Sequence, residues 1–219
     1  MKRQWWCAAL LAALCCGPVA AGFVEWSNPS GETDYFYWEN GGSVSGLYGC
    51  PTLIGQTTFV FFPTDFRAQA SDGETVSVSD TLSFDLVMKD LNCLAGIRVR
   101  EIGDFGMAGS GTSVSATGQL DITSLSGGGS ASTTLLMTPE VPITSGSGSW
   151  QADGHLTGLF CNTLTITLSN ELIAVSSAGS SAFIEKKSSA QAIAIEIIPE
   201  PATVALLGLG AVGLLRKRR

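Results

Sequence analysis

Thr163-Leu164-Thr165-Ile166-Thr167-Leu168-Ser169 is the stretch on which the reading of this chain turns. Apolar side chains recur at every second position. Successive residues of a β-strand point to opposite faces, so Leu164, Ile166 and Leu168 would face a core and the threonines would face water. The same period of two returns at Leu82, Phe84 and Leu86, at Ile97 and Val99 with Arg98 and Arg100 interleaved, and at Ile193, Ile195 and Ile197. Further strand candidates are residues 57–62, 74–79, 111–120, 132–137, 148–157, 171–176 and 182–186. Turn signals at Asp72-Gly73, Gly127-Gly128-Gly129, Gly146-Ser147-Gly148 and Asp153-Gly154 punctuate them. Roughly ten short strands, with no fixed-period repeat, predict an all-β domain over residues 22–195. The expected form is an antiparallel two-sheet sandwich, jelly-roll-like.

Charge is distributed unevenly along the 219 residues. Six of the twelve basic residues stand at the two ends, whereas residues 22–198 hold Arg67, Lys89, Arg98, Arg100, Lys186 and Lys187 against eighteen acids, a formal charge of −12. A surface of that sign repels phosphate backbones, which argues against nucleic acid as a partner. Richness in Gly, Ser and Thr, scarcity of Lys and the absence of a long amphipathic helical pattern suit an exported β domain.

The N-terminus has the three-part plan of a secretory signal peptide. Lys2 and Arg3 form the positive region, Trp5 to Cys16 an apolar run of twelve residues, and Gly17 to Ala21 a small-residue stretch. Cleavage between Ala21 and Gly22 fits best, with Val19 and Ala21 as the small residues that precede it. Cys15 and Cys16 raise the alternative of a lipoprotein anchor, but neither follows the Leu-small-small pattern such anchors need.

The other end, residues 196–219, also has three parts. Pro199-Glu200-Pro201 is an extended motif, because each proline fixes φ and disfavours helix in the residue before it. Ala202 to Leu215 is an uncharged stretch of fourteen residues. As a helix it spans about 21 Å at roughly 1.5 Å per residue. That is short for a bilayer core of about 30 Å. Arg216, Lys217, Arg218 and Arg219 would stay on the cytoplasmic side, leaving the body of the protein outside. This order of elements closely resembles the PEP-CTERM sorting signal. In that family a membrane protease-transpeptidase, exosortase, recognises the tail. The resemblance implies that Pro199, Glu200 and Pro201 are the recognition motif, 202–215 a short transmembrane helix held at least transiently in the membrane, and Arg216 to Arg219 the retention cluster. Gly208-Leu-Gly210-Ala-Val-Gly213 inside this segment matches a dinucleotide-binding fingerprint. Neither the helix nor the later acidic residue that such a motif needs follows it, so the match is read as accidental.

Signs of chemistry are sparse. Cys50, Cys93 and Cys161 of the mature chain are an odd number for an oxidising compartment. One disulfide with a leftover thiol is the simplest arrangement, with Cys93 and Cys161 as the pair because both sit beside apolar strand residues. Three free thiols are the alternative. His155, the one histidine, follows the expected Asp153-Gly154 turn, and no G-x-S-x-G elbow supports a Ser-His-Asp hydrolase. Eighteen acids always supply some carboxylate pair, so glycosidase chemistry is not signalled. Neither a zinc spacing nor a D-x-[DN]-x-[DN]-G calcium loop is present, although 32–34 and 72–74 are oxygen-rich. The group Trp26, Tyr35, Phe36, Tyr37 and Trp38 stands out. Trp26, Tyr37 and Trp38 are candidates to stack on sugar rings, with Glu39 and Asn40 available for hydroxyls. The alternative is that alternate members fill the core. The expectation is therefore a non-enzymatic surface or extracellular-matrix protein, structural or polysaccharide-binding, with no cofactor and no metal. A secreted hydrolase acting on polysaccharide or ester bonds is the rival. Exosortase and extracellular polysaccharide are the expected partners.

Overall fold

A computed structural model of the protein describes residues 22–89, 93–125, 129–160, 163–186 and 193–200. The expected signal peptide with Ala21, the apolar segment 202–215, Pro201, Arg216 to Arg219 and Cys161 lie outside the described residues. The described chain is all β. In chain order it forms β1 (Val24–Glu25), β2 (Gly31–Glu32), β3 (Phe36–Ser43), β4 (Thr52–Ile54), β5 (Thr58–Phe61), β6 (Arg67–Ser71) and β7 (Thr75–Met88). There follow β8 (Leu94–Ala108), β9 (Ser113–Ser124), β10 (Ser130–Thr134), β11 (Leu136–Thr138), β12 (Ser147–Phe160), β13 (Thr163–Val175), β14 (Ser181–Lys186) and β15 (Ile193–Pro199).

Two antiparallel sheets result. The first has the order β1-β3-β7-β13-β9-β10, with β2 also on β3. The second has the order β11-β12-β8-β15-β5-β4, with β14 joining β8 to β6. The chain changes sheet between β7 and β8 and again between β12 and β13. These two crossings lie side by side, since β7 pairs with β13 and β8 with β12. In β13 every second residue is buried from Leu164 to Ala174, and β7 and β9 alternate in the same way. Their inner residues meet Phe59, Phe61, Ile97, Val99, Ile193 and Ile195 of the second sheet in one core. Phe59 and Phe84 pack across the sandwich with ring centroids 5.0 Å apart.

The strands are longer and more numerous than the sequence reading expected. Segments 74–79 and Leu82 to Leu86 are one strand, β7, and 163–169 and 171–176 are one strand, β13. Asp80 and Asn170, which looked like interruptions, occupy buried positions in phase with the apolar ones. Asp153-Gly154 is no turn: both residues pair with β8 inside β12, opposite Arg100 and Val99. Gly154 is there for space, since a methyl group on it would run into the Leu135 side chain. The second sheet also takes in residues 196–199, which the sequence reading had placed in the tail, because β15 continues to Pro199 beside Leu94.

Candidate functional site

Period-two geometry divides the aromatic group. Phe36 and Trp38 point inward along β3, and Tyr37 points outward. Trp38 is 7% exposed, and its ring lies against Gly31 of β2, where even a methyl group would collide with it. Trp26, 4% exposed, packs on Gly41 with Phe61 at 5.4 Å and Phe84 at 5.6 Å between ring centroids. A bulge in β3 between Glu39 and Gly42, with Asn40 in the left-handed region at φ 57°, makes room for this. Trp26 and Trp38 are therefore core residues with no free face for a sugar. This corrects two of the three expected stacking residues. Tyr37 is 45% exposed, but the Lys89 ammonium sits 4.3 Å from its ring centroid and is held by Glu32 at 2.9 Å.

The surface that remains open is the outer face of the first sheet. Register places its residues in rows. Asp85, Thr165 and Thr123 form one, Ser83, Thr167 and Asp121 the next, then Thr81, Ser169, Gln119 and Thr134, then Ser79, Glu171 and Thr117. A shallow groove runs over the last two rows, lined by Ser79, Thr81, Thr117, Gln119, Ser169 and Glu171. Hydroxyls and carboxylates within these rows orient one another: Thr165 donates to Asp85 at 2.6 Å, and Thr81 and Ser169 lie 3.0 Å apart. None of these row residues is basic. The rows offer hydroxyl, amide and carboxylate groups, the set that matches the hydroxyls of a neutral polymer.

The second sheet's outer face is built differently. Arg67 pairs with Glu185 at 2.6 Å, Arg98 with Glu196 at 3.2 Å and Arg100 with Asp153 at 3.7 Å. His155 stands exposed in mid-strand opposite Arg98. The described residues lining its groove include Thr133, Thr134, Leu136 and Asp153 but no serine. The oxygen-rich loops direct carboxylates at the protein itself: Glu32 holds Lys89, and Asp72 accepts a hydrogen bond from the Gly179 amide at 3.1 Å.

Sequence reasoning missed a buried polar cluster between the sheets. Asp80 on β7, Glu101 on β8, Asn170 on β13 and Lys186 on β14 all take core-facing positions. Lys186, with its side chain 0% exposed, donates to Glu101, 2% exposed, at 2.5 Å. Asn170 donates to the same carboxylate oxygen at 3.2 Å and to the Thr117 carbonyl at 3.3 Å. The Tyr48 hydroxyl donates to Asn170 Oδ1 at 2.6 Å. Asp80 accepts from the amides of Ser45, Leu47 and Thr81, each at 2.8 Å, fixing the loop that carries Tyr48. Burial pushes the Lys186 pKa down, with the Glu101 carboxylate pulling the other way. Burial, reinforced by Glu101 and Asp80, pushes the Tyr48 phenol well above its usual range. The signal was in the sequence: each of the four breaks an apolar alternation without breaking its phase.

Of the cysteines, Cys50 is an exposed free thiol. Cys93 is disulfide-bonded. At the sorting motif, Pro199 closes β15 and the Glu200 amide donates to the Cys93 carbonyl at 2.8 Å. Gly22 is exposed at the start of the described chain.

Residues 198–219 match the family model of the PEP-CTERM protein-sorting motif. The chain carries a PEP-CTERM sorting motif. It is thereby marked as an exported protein sorted by exosortase to the cell surface. No curated protein matches the chain. Among solved structures, TmCBM61 in complex with beta-1,4-galactotriose aligns at 14% identity over 78% of this chain and 96% of that one, with a TM-score of 0.26. The enzymatically active domain of bacteriophage CBA120 tailspike protein 4 aligns at 10% identity over 60% of this chain and 19% of that one, with a TM-score of 0.21. A structure of infectious bursal disease virus, Gx strain, aligns at 9% identity over 72% and 49%, with a TM-score of 0.22.

Proposed function

We propose that the PEP-CTERM protein is a non-enzymatic component of the cell surface or extracellular matrix, whose jelly-roll domain binds polysaccharide through the outer face of its first sheet. The strand orders β7-β13-β9-β10 and β5-β15-β8-β12 are those of two interleaved four-stranded sheets wound from one long antiparallel ribbon, which supports the jelly-roll reading. The observation that carries the binding role is the rows of hydroxyl, amide and carboxylate groups along β7, β13 and β9. Neutral partners incur little desolvation cost there, and a shallow open groove over Gln119 and Glu171 gives a chain somewhere to lie. Exosortase is the processing partner, and the tail passes through the membrane before it is removed. Cys93 bonds to Cys161, since Leu94 and Phe160, their immediate neighbours in the chain, are register partners. A hydrolase gains no support from the surroundings of His155.

Affinity electrophoresis through gels cast with the host's own extracellular polysaccharide tests the reading. The protein is expected to be retarded, and Gln119→Ala with Glu171→Ala together to migrate freely. Unretarded migration of the wild type in every polysaccharide tried leaves the structural role alone.

A further inference from the structure

The binding role leaves Lys186, Asn170, Glu101 and Tyr48 unused, yet they are placed as reacting groups are. Lys186 is on β14 of the second sheet and Asn170 on β13 of the first, and the two meet on one atom. Nζ lies 2.5 Å and Nδ2 3.2 Å from the same Glu101 oxygen, so their separation cannot exceed those two distances laid end to end. On the other side of the amide the Tyr48 hydroxyl donates to Asn170 Oδ1 at 2.6 Å. The rings of Phe66 and Trp150 each lie 5.3 Å from Nζ and close the site to water. As a simple ion pair the arrangement is incomplete, because the second oxygen of Glu101 is buried with no hydrogen-bond partner.

We propose that Lys186 and Asn170 react to form an intramolecular amide cross-link between the two sheets, with Glu101 moving the proton and Tyr48 holding the developing oxyanion. The neutral Nζ attacks Cγ of Asn170, and the carbonyl electron pair moves onto Oδ1, to which the Tyr48 hydroxyl donates a hydrogen bond. Glu101 takes a proton from Nζ and passes it to Nδ2. The Cγ–Nδ2 bond breaks and ammonia leaves. A primary amine and a primary amide thus give a secondary amide and ammonia, with no change of oxidation state. Burial favours both states this needs, an uncharged Lys186 and a protonated Tyr48. Proximity in a dry site supplies the remaining advantage. The product fastens β13 to β14 within the domain that the sorting motif delivers to the surface.

The protein isolated from its host, reduced and digested, provides the test. After cleavage at Arg100, trypsin meets no further basic residue before Lys186, so Asn170 and Lys186 fall in one peptide. That peptide is expected to be short by one ammonia and to resist cleavage after Lys186. A Glu-specific protease separates 141–171 from 186–196 in sequence, and the two are expected to appear as one joined species. Glu101→Gln, a near-isosteric change, is expected to give both peptides separate and at full mass. Wild-type peptides at full mass overturn the proposal whatever the variants do. So does an ammonia loss that survives Lys186→Arg, since that would be cyclisation of Asn170 on its own backbone.

Discussion

The first sheet shows water Thr165, Thr167, Ser169, Gln119 and Glu171, whereas the second shows Arg67, Arg98 and Arg100 with acids facing them. Inside, the two sheets are alike, alternating buried aliphatic and aromatic side chains around one core. The difference therefore belongs to the outward phase of each strand, which folding leaves nearly free to vary. On the second face the long cationic side chains already have partners, so a ligand would have to displace them. The side chains along β7, β13 and β9 on the first face carry no ion pair among the described residues and hydrogen-bond to one another, as Thr165 does to Asp85 and Ser77 to Glu171. Two faces of one sandwich thus divide into a sealed side and an open side.

The largest disturbance comes from beneath both faces. Trp150 is fully buried, lies on Gly103 where a methyl group would strike its ring, and donates from Nε1 to the Glu185 carbonyl at 3.1 Å. Trp150→Ala is expected to cost about 3–5 kcal/mol, read by urea unfolding. It would also degrade both surfaces together. Thr167→Arg acts on one face alone. It sets a cation between Ser83 and Asp121, and is expected to weaken polysaccharide binding about tenfold, roughly 1.4 kcal/mol, while leaving the melting temperature in place. Unchanged binding, measured by titration, would move the ligand off this face.

Most of the sandwich was legible because the alternation in Leu164, Ile166 and Leu168 states a strand and its buried face together. The length of the strands was not. Asp80 and Asn170 ended the apolar pattern on paper, yet in space each continues it, satisfied by partners far away in sequence: the Ser45 and Leu47 amides for Asp80, Tyr48 and Glu101 for Asn170. A rule that stops a strand at a polar residue cannot see a partner that only the fold supplies. Trp26 and Trp38 failed for a related reason: the glycines that receive their rings, Gly41 on β3 and Gly31 on β2, come beside them only through strand pairing. The sorting motif was readable because it acts as a linear tag. The polar rows were not recognised as a surface, since they exist only once β7, β13 and β9 are aligned.

The cluster between the faces gives a pH dependence. Below about pH 10 the Tyr48 phenol is protonated in the folded and unfolded chain alike, so its contribution is fully present. Above that value the unfolded chain releases the proton while the folded chain, whose pKa burial has raised, still holds it. Stability is then expected to fall by roughly 1 kcal/mol per pH unit until the folded pKa is reached. Thermal melts across pH 8 to 11, a range of about three units around the reference value, would show it. Tyr48→Phe should flatten the alkaline slope, and a slope that stays as steep would assign it to other groups.

The smallest effect is expected on the sealed side, and its size bears on why that side is sealed. Arg67 meets Glu185 at 2.6 Å and lies over Phe183, with the guanidinium carbon 4.2 Å from the ring centroid. Both members of the ion pair are partly exposed, so the pair should contribute no more than about 1 kcal/mol and should weaken in salt. Stacking on Phe183 adds roughly 0.5–1 kcal/mol and depends far less on salt, because it also covers the ring with the arginine stem. Arg67→Ala should therefore lower stability by about 1 kcal/mol at low salt, and Arg67→Met, which keeps the stem, by less. Polysaccharide binding should not change in either variant. If the loss in Arg67→Ala persists undiminished in high salt, cover of Phe183 rather than charge pairing is what holds this edge, and the second face is sealed by packing with the ion pairs as its rim.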